Sequence, residues 1–129
     1  MRHDIINDAI ADIKNHERIG ASELTVEPKS KLLMEILRVF AQEGYVESAE
    51  PYENNHGGGV KIRLNKKIND CGIVRPRFPV KAAEFSKWEK RFLPSFAVGT
   101  LVVSTSNGVM SHREASEKNL GGKLLAYVY

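Results

Sequence analysis

The sequence predicts an α+β protein of two small α/β domains packed side by side. The N-terminal domain, residues 1–65, reads as an α-β-α-β-β unit; the C-terminal one, residues 66–129, as mostly antiparallel sheet with short helices. Three observations predict this. Two early segments repeat apolar residues at helical spacing, and the segments after them alternate apolar with polar residues. A polar stretch at 65–72, containing Gly72, separates two such groups of elements. A chain of 129 residues, 42% of them hydrophobic, suits one domain or two small ones with a real core.

Residues 3–16 read as an amphipathic helix, because Ile5, Ile6, Ala9, Ile10 and Ile13 share one face. Asp4 in the first turn and Lys14 and His16 in the last complement the macrodipole. Asp4, Asp8 and Asp12 form an acidic line that reads as a solvated face, since side chains along one helix line do not converge on an ion. A short strand at 22–27 alternates Leu24 and Val26 and stops at Pro28. A second helix spans about 30–43, with Leu33, Ile36, Leu37 and Phe40 as its stripe and Gly44 as its C′ residue. Tyr45 and Val46 open a strand to about Tyr52. Asn54-Asn55-His56-Gly57-Gly58-Gly59 is a hairpin loop. The returning strand sets Val60, Ile62 and Leu64 against Lys61, Arg63 and Asn65, one buried face and one basic.

Past the junction, Ile73–Lys81 carries Pro76 and Pro79, which confine it to an edge strand or extended segment, and Arg75, Arg77 and Lys81 make it basic. A short helix at 83–91 places Phe85, Trp88 and Phe92 against the core and points Lys87, Lys90 and Arg91 outward; Trp88 is a core anchor. The stretch from Leu101 to Ala115 then reads as strand, polar turn and helix start. Leu101, Val102 and Val103 are strand formers. Ser104, Thr105, Ser106, Asn107 and Gly108 follow, small donors and acceptors with almost no charge. That chemistry suits sugar hydroxyls, phosphates and base edges, where a long side chain would hold surfaces apart. The competing reading is an ordinary turn whose hydroxyls satisfy their own backbone. Ser111 and Glu114 stand at capping-box spacing and begin a helix at 112–119. Asn119 and Gly121 supply its left-handed stop, and 123–129 is the last strand.

The net charge of +3 hides an asymmetry. Residues 1–60 hold 6 basic against 11 acidic side chains and carry −5, whereas residues 61–129 hold 13 against 5 and carry +8. The split predicts one half that faces a polyanion and one that faces solvent or protein. No run approaches the roughly 18 apolar residues of a membrane span, so no membrane partner is expected. Met1-Arg2-His3-Asp4 leads straight into the first helix, so no signal peptide is expected. The lone cysteine, Cys71, excludes an internal disulfide, fits a reducing cytosol, and reads as a small buried hydrophobe.

Catalytic frames are incomplete. His112-x-Glu114 matches the start of a zinc deaminase signature that also needs Pro-Cys-x-x-Cys. Gly122-Lys123 lacks the phosphate loop's earlier glycine, the position being Glu117, and Leu124 stands where magnesium needs Ser or Thr. His3, His16, His56 and His112 have no ligand spacing. Ser104 and Ser106 have no local frame for a nucleophile. No enzyme, cofactor or metal is therefore expected.

The pattern Val103-Ser104-Thr105-Ser106-x-Gly108-Val109-Met110-x-x-Arg113-Glu114-Ala115 resembles the signature of the ribosomal S-eight family, small-subunit rRNA-binding proteins. The tail Gly121-Gly122-Lys123-Leu124-Leu125-Ala126-Tyr127-Val128-Tyr129 continues it at the family's spacing. The resemblance implies two α+β domains that bind a helical element of the rRNA central domain and help subunit assembly. It implies neighbouring small-subunit ribosomal proteins as partners, a cytoplasmic ribosomal location, and a monomer outside the ribosome. It assigns RNA contact to Ser104, Thr105, Ser106 and Gly108, with Asn107 in the same turn. At the starts of the first two helices it assigns contact to Asp4, Asn7, Ser30 and Lys31. Lys123 stands where bacterial members carry the Glu of Gly-Gly-Glu, and phosphate pairing becomes its expected role. Arg75-Pro76-Arg77-Phe78-Pro79 replaces a bacterial Lys-Pro-Gly segment, which, with Lys90-Arg91-Phe92-Leu93-Pro94 and the Leu125–Tyr129 ending, resembles the archaeal and eukaryotic branch. The first helix shows Asp4-Ile5 where the family shows Asp-Pro. The rival reading is a protein–protein adaptor that adds a strand at the Pro76–Pro79 edge, with weak salt dependence. A third is a hydrolase using Ser106.

Overall fold

The computed structural model describes residues 5–75, 77–95 and 98–129. Asp4, a candidate RNA contact, and Pro76 of the candidate edge lie outside the described residues. The order is α1 (Ile5–Arg18), β1 (Glu23–Val26), α2 (Lys31–Gln42), β2 (Val46–Tyr52), β3 (Gly59–Leu64), β4 (Cys71–Ile73) and β5 (Pro79–Val80). A single 3-10 turn (Ala82–Glu84) leads into α3 (Phe85–Phe92), then β6 (Thr100–Thr105), β7 (Gly108–Ser111), α4 (His112–Glu117) and β8 (Gly122–Val128). One sheet runs β1-β3-β2, the other β4-β8-β6-β7 with β5 also paired to β8, and every pairing is antiparallel. This is the expected α+β architecture, with four α-helices among the described residues.

Local signals set the helix ends. Ser30 is extended (φ −142°) and its hydroxyl accepts from the Leu33 N–H at 3.1 Å, one of the donors that a helix start leaves unpaired. Gly44 (φ 83°) closes α2: its N–H donates to Ala41, and the Tyr45 N–H donates to the Phe40 carbonyl. Asn119 (φ 55°) does the same for α4 without help from Gly121. α1 runs two residues past the expected end, to a similar cap at Gly20. We expect Ser30→Ala to cost about 1 kcal/mol, read as a fall of a few degrees in Tm; an unchanged Tm would mean water caps α2 equally well.

Two cores form, and β6 serves both. Ala9, Ile10 and Ile13 of α1, the α2 stripe and the first sheet pack with Cys71, Val102, Leu125, Ala126 and Val128, so the first core crosses position 65. Leu101, Val103, Met110 and Leu124 face the other way, under Phe85 and Trp88 of α3 and Ala115 of α4. The apolar run Leu101-Val102-Val103 is unbroken because both faces of the strand are buried. A bulge at Leu125 shifts the β6–β8 register, so Leu125 and Ala126 both join the first core. Trp88 is a buried core anchor, and the buried Cys71 thiol is pushed up to about 12, mainly by burial and then by Asp70. Lys14 pairs with Asp70 at 2.8 Å and ties α1 to the start of β4.

Two expectations are corrected. β4 begins at Cys71, inside the stretch read as a junction, because β8 offers it a ladder partner. The 104–111 stretch contains a strand, β7, so Leu101–Ala115 is a hairpin leading into a helix. Its Ser, Asn and Gly composition hid a ladder that only pairing with β6 creates.

Candidate nucleic-acid interface

The β6–β7 hairpin turns at Ser106 and Asn107, and Gly108 takes φ 110° while neither of the two preceding residues has positive φ. That is the geometry of a type I turn with a glycine bulge. The Thr105 hydroxyl donates to the Gly108 carbonyl at 2.8 Å and accepts from the Asn107 N–H at 3.1 Å. For Thr105 the ordinary-turn reading therefore holds. Ser106 and Asn107 are exposed and Ser104 is half-buried. Their side-chain polar groups make no hydrogen bond among the described residues, so the turn keeps the Ser106 hydroxyl and the Asn107 amide exposed.

Lys123 is the β8 residue opposite Ser104, and Val109 lies opposite Ser104 on the other side. Cross-strand partners share a sheet face, so Lys123 and Ser104 lie together on the face that covers the first core. Lys123 is exposed and has no ion pair among the described residues. Arg38 of α2 donates to the Val109 carbonyl at 2.5 Å and fixes the hairpin against the N-terminal half. Gly122 has a packing role: an added Cβ would meet the Ser104 carbonyl carbon at 2.9 Å and its oxygen closer still.

Arg75 and Arg77 are exposed between β4 and β5 and line a cleft with Ile6, Leu32, Ile36 and Leu125. Asn7 follows Ile6 and Lys31 precedes Leu32, so the starts of both helices reach this cleft. Leu125 lies two residues along β8 from Lys123, which joins the cleft to the hairpin. Lys31 is exposed and Asn7 half-buried. The Ser30 oxygen accepts from the Leu33 N–H, which leaves its O–H and one lone pair for an outside partner. The structure thus brings Arg75 and Arg77 to the starts of α1 and α2, and Lys123 beside Ser104.

The rest of the signature is structural. Met110 and Ala115 are buried. Arg113 donates to the Gly99 carbonyl at 2.7 Å and to the Thr100 hydroxyl at 3.3 Å. Ser111 caps α4, accepting from the Glu114 N–H at 3.2 Å. The Glu114 carboxylate takes Lys118 at 3.2 Å in place of the return half of the capping box, because Ser111 is already in the β7 ladder.

His112 is the group that sequence reasoning missed. It is 1% exposed; its Nδ1 accepts from the Leu101 N–H at 3.0 Å, and its Nε2 lies 3.0 Å from a Glu89 carboxylate oxygen. The neutral ring therefore carries its proton on Nε2, which lies close to Glu89 but makes no well-aligned hydrogen bond among the described residues. Burial and then the Arg113 charge hold His112 below the ordinary range, outweighing Glu89. No local signal points to a contact between residues 89, 101 and 112.

Residues 4–129 match the family described as Ribosomal protein S8. The small ribosomal subunit protein uS8 of Thermoplasma volcanium is 46% identical over 129 residues, covering all of both chains. That of Thermoplasma acidophilum is also 46% identical over 129 residues, again covering all of both. That of Pyrobaculum islandicum is 47% identical over 126 residues, 98% of this chain and 97% of its own.

Proposed function

The chain belongs to the ribosomal protein S8 family, and from that premise we propose that it binds a helical element of the small-subunit rRNA central domain and helps the subunit assemble. The family is a structural, non-enzymatic component of the ribosome, so its partners are rRNA and other ribosomal proteins. The observation that carries the reading is the hairpin tip, with the side chains of Ser104, Ser106 and Asn107 unpartnered among the described residues and Lys123 beside Ser104. Short hydroxyls at a strand end enter the wide RNA minor groove or meet an unstacked base, while Lys123, Arg75 and Arg77 meet phosphates. Asn7, Ser30 and Lys31 extend the contact from the N-terminal half. Residues 66–129 then form the RNA-binding domain and residues 1–65 its support. The protein works as a monomer before incorporation into cytoplasmic ribosomes. Among the described residues no helix is long and apolar enough to cross a membrane.

The test is binding of wild type and Ser106→Ala to central-domain rRNA fragments across a salt series. Tight, salt-sensitive binding to one fragment is expected, weakened by roughly 1–3 kcal/mol in the variant. Equal, weak binding to every fragment, unchanged in the variant, would leave the turn a structural element only.

A further inference from the structure

The C-terminal sheet has a second cationic surface, on its other side. α3 packs Phe85 and Trp88 onto the face that carries Leu101, Val103, Met110 and Leu124. Ser104 and Lys123 alternate with Val103 and Leu124 and so lie on the opposite face. The outer side of α3 exposes Lys87, Lys90 and Arg91, with Lys81 exposed in the segment before it. The two acids of this region each have a partner within the domain. The Glu84 carboxylate accepts from the Lys81 N–H at 3.0 Å, and Glu89 faces His112.

Beneath these cations runs a continuous ladder of rings. Phe78 stacks on Trp88 at 4.8 Å, Trp88 on Phe92 at 6.3 Å, Phe92 on Tyr127 at 5.7 Å and Tyr127 on Tyr129 at 6.3 Å, all within 28° of parallel. Phe78, Phe92, Tyr127 and Tyr129 are only half-buried. The Arg91 guanidinium lies 5.0 Å from the Phe78 ring centre, 5.4 Å from Trp88 and 5.6 Å from Phe92. Stacking holds the guanidinium in one place while its N–H groups stay outward.

We propose that the outer face of α3 is a second RNA-binding surface, so that one copy of the protein holds two RNA segments on opposite faces of its C-terminal sheet. Lys87, Lys90 and Arg91 meet the phosphates, and the half-exposed rings beside them offer a platform to an unpaired base. An acidic protein segment would satisfy the cations and leave the rings without a partner; RNA uses both. The proposal rests on the rRNA-binding reading above, and its test keeps the two separable.

A 1:1 complex of the protein with its central-domain fragment is titrated with a labelled single-stranded oligouridylate of about 20 nucleotides. The complex is expected to capture the oligonucleotide without releasing the fragment, with steep salt dependence. Lys87→Glu/Lys90→Glu should weaken capture at least about tenfold and leave fragment binding within about twofold. Both lysines are exposed and have no hydrogen bond or ion pair among the described residues; Lys87 only overlies Trp88, at 5.6 Å. The neutral pair Lys87→Gln/Lys90→Gln should move capture the same way, which separates lost attraction from added repulsion. Ser106→Ala should weaken fragment binding and leave oligonucleotide binding unchanged, so either reading fails without the other. Capture unchanged in both lysine pairs, displacement of the fragment by the oligonucleotide, or equal binding of an oligoglutamate of matched charge would overturn the proposal.

Discussion

Gly122→Ala is expected to lower stability by roughly 3 kcal/mol and Tm by on the order of 10 °C, although it adds one methyl group. The new Cβ would press on the backbone carbonyl of Ser104, whose carbon stands 2.9 Å away, and on a Val103 methyl at 3.1 Å. A flexible side chain could swing aside; the carbonyl sits in the β6–β8 ladder and cannot move without opening it. Gly108→Ala is the control. A Cβ there meets nothing within 4 Å, so only the φ of 110° opposes it, and about 1 kcal/mol is expected. The measurement is chemical denaturation of both variants beside the wild type. A Gly122→Ala loss no larger than that of Gly108→Ala would show that the strands separate easily. The ladder would then be too soft to hold Lys123 against Ser104.

His112→Ala should cost roughly 3–5 kcal/mol, because it empties a closed site and leaves the buried Leu101 N–H without an acceptor. His112→Asn places an amide oxygen near the Nδ1 position and should recover about 1–2 kcal/mol of that loss. A pH series separates packing from protonation. Burial holds the folded-state pKa of His112 below its ordinary 6.5, so the unfolded chain takes up the proton first as pH falls. The stability from the neutral ring is complete above about pH 6.5 and is lost as pH falls from there toward the lower folded value. Wild type should therefore lose more stability than His112→Asn between about pH 7 and pH 5. Parallel pH profiles, or a His112→Ala cost below about 1 kcal/mol, would refute this account.

Most elements were legible because their signals are local. Ser30, Gly44 and Asn119 mark helix ends through capping groups a few residues apart, and Val60, Ile62 and Leu64 mark a strand by alternation alone. The exposed hydroxyl turn and Lys123 were legible as polar chemistry, and the signature around them identified the family. β7 was not, since turn formers dominate its start and its ladder exists only beside β6. Cys71 and Gly72 looked like linker for the same reason.

By itself, then, the sequence determined the helices, most of the strands, the charge division and the short polar groups of the candidate interface. Each of these depends on neighbours within a few positions along the chain. The tertiary structure alone decided that Leu101-Val102-Val103 feeds two cores, that Thr105 closes its own turn while Ser106 does not, and that Gly122 must lack a side chain. It also brought Arg75 and Arg77 to the starts of α1 and α2, and buried His112 against Glu89. The physical reason is approach between segments distant in sequence. Backbone clash, burial and shared faces arise only where strands pair and helices cover them, and no local propensity encodes which carbonyl will stand against which glycine.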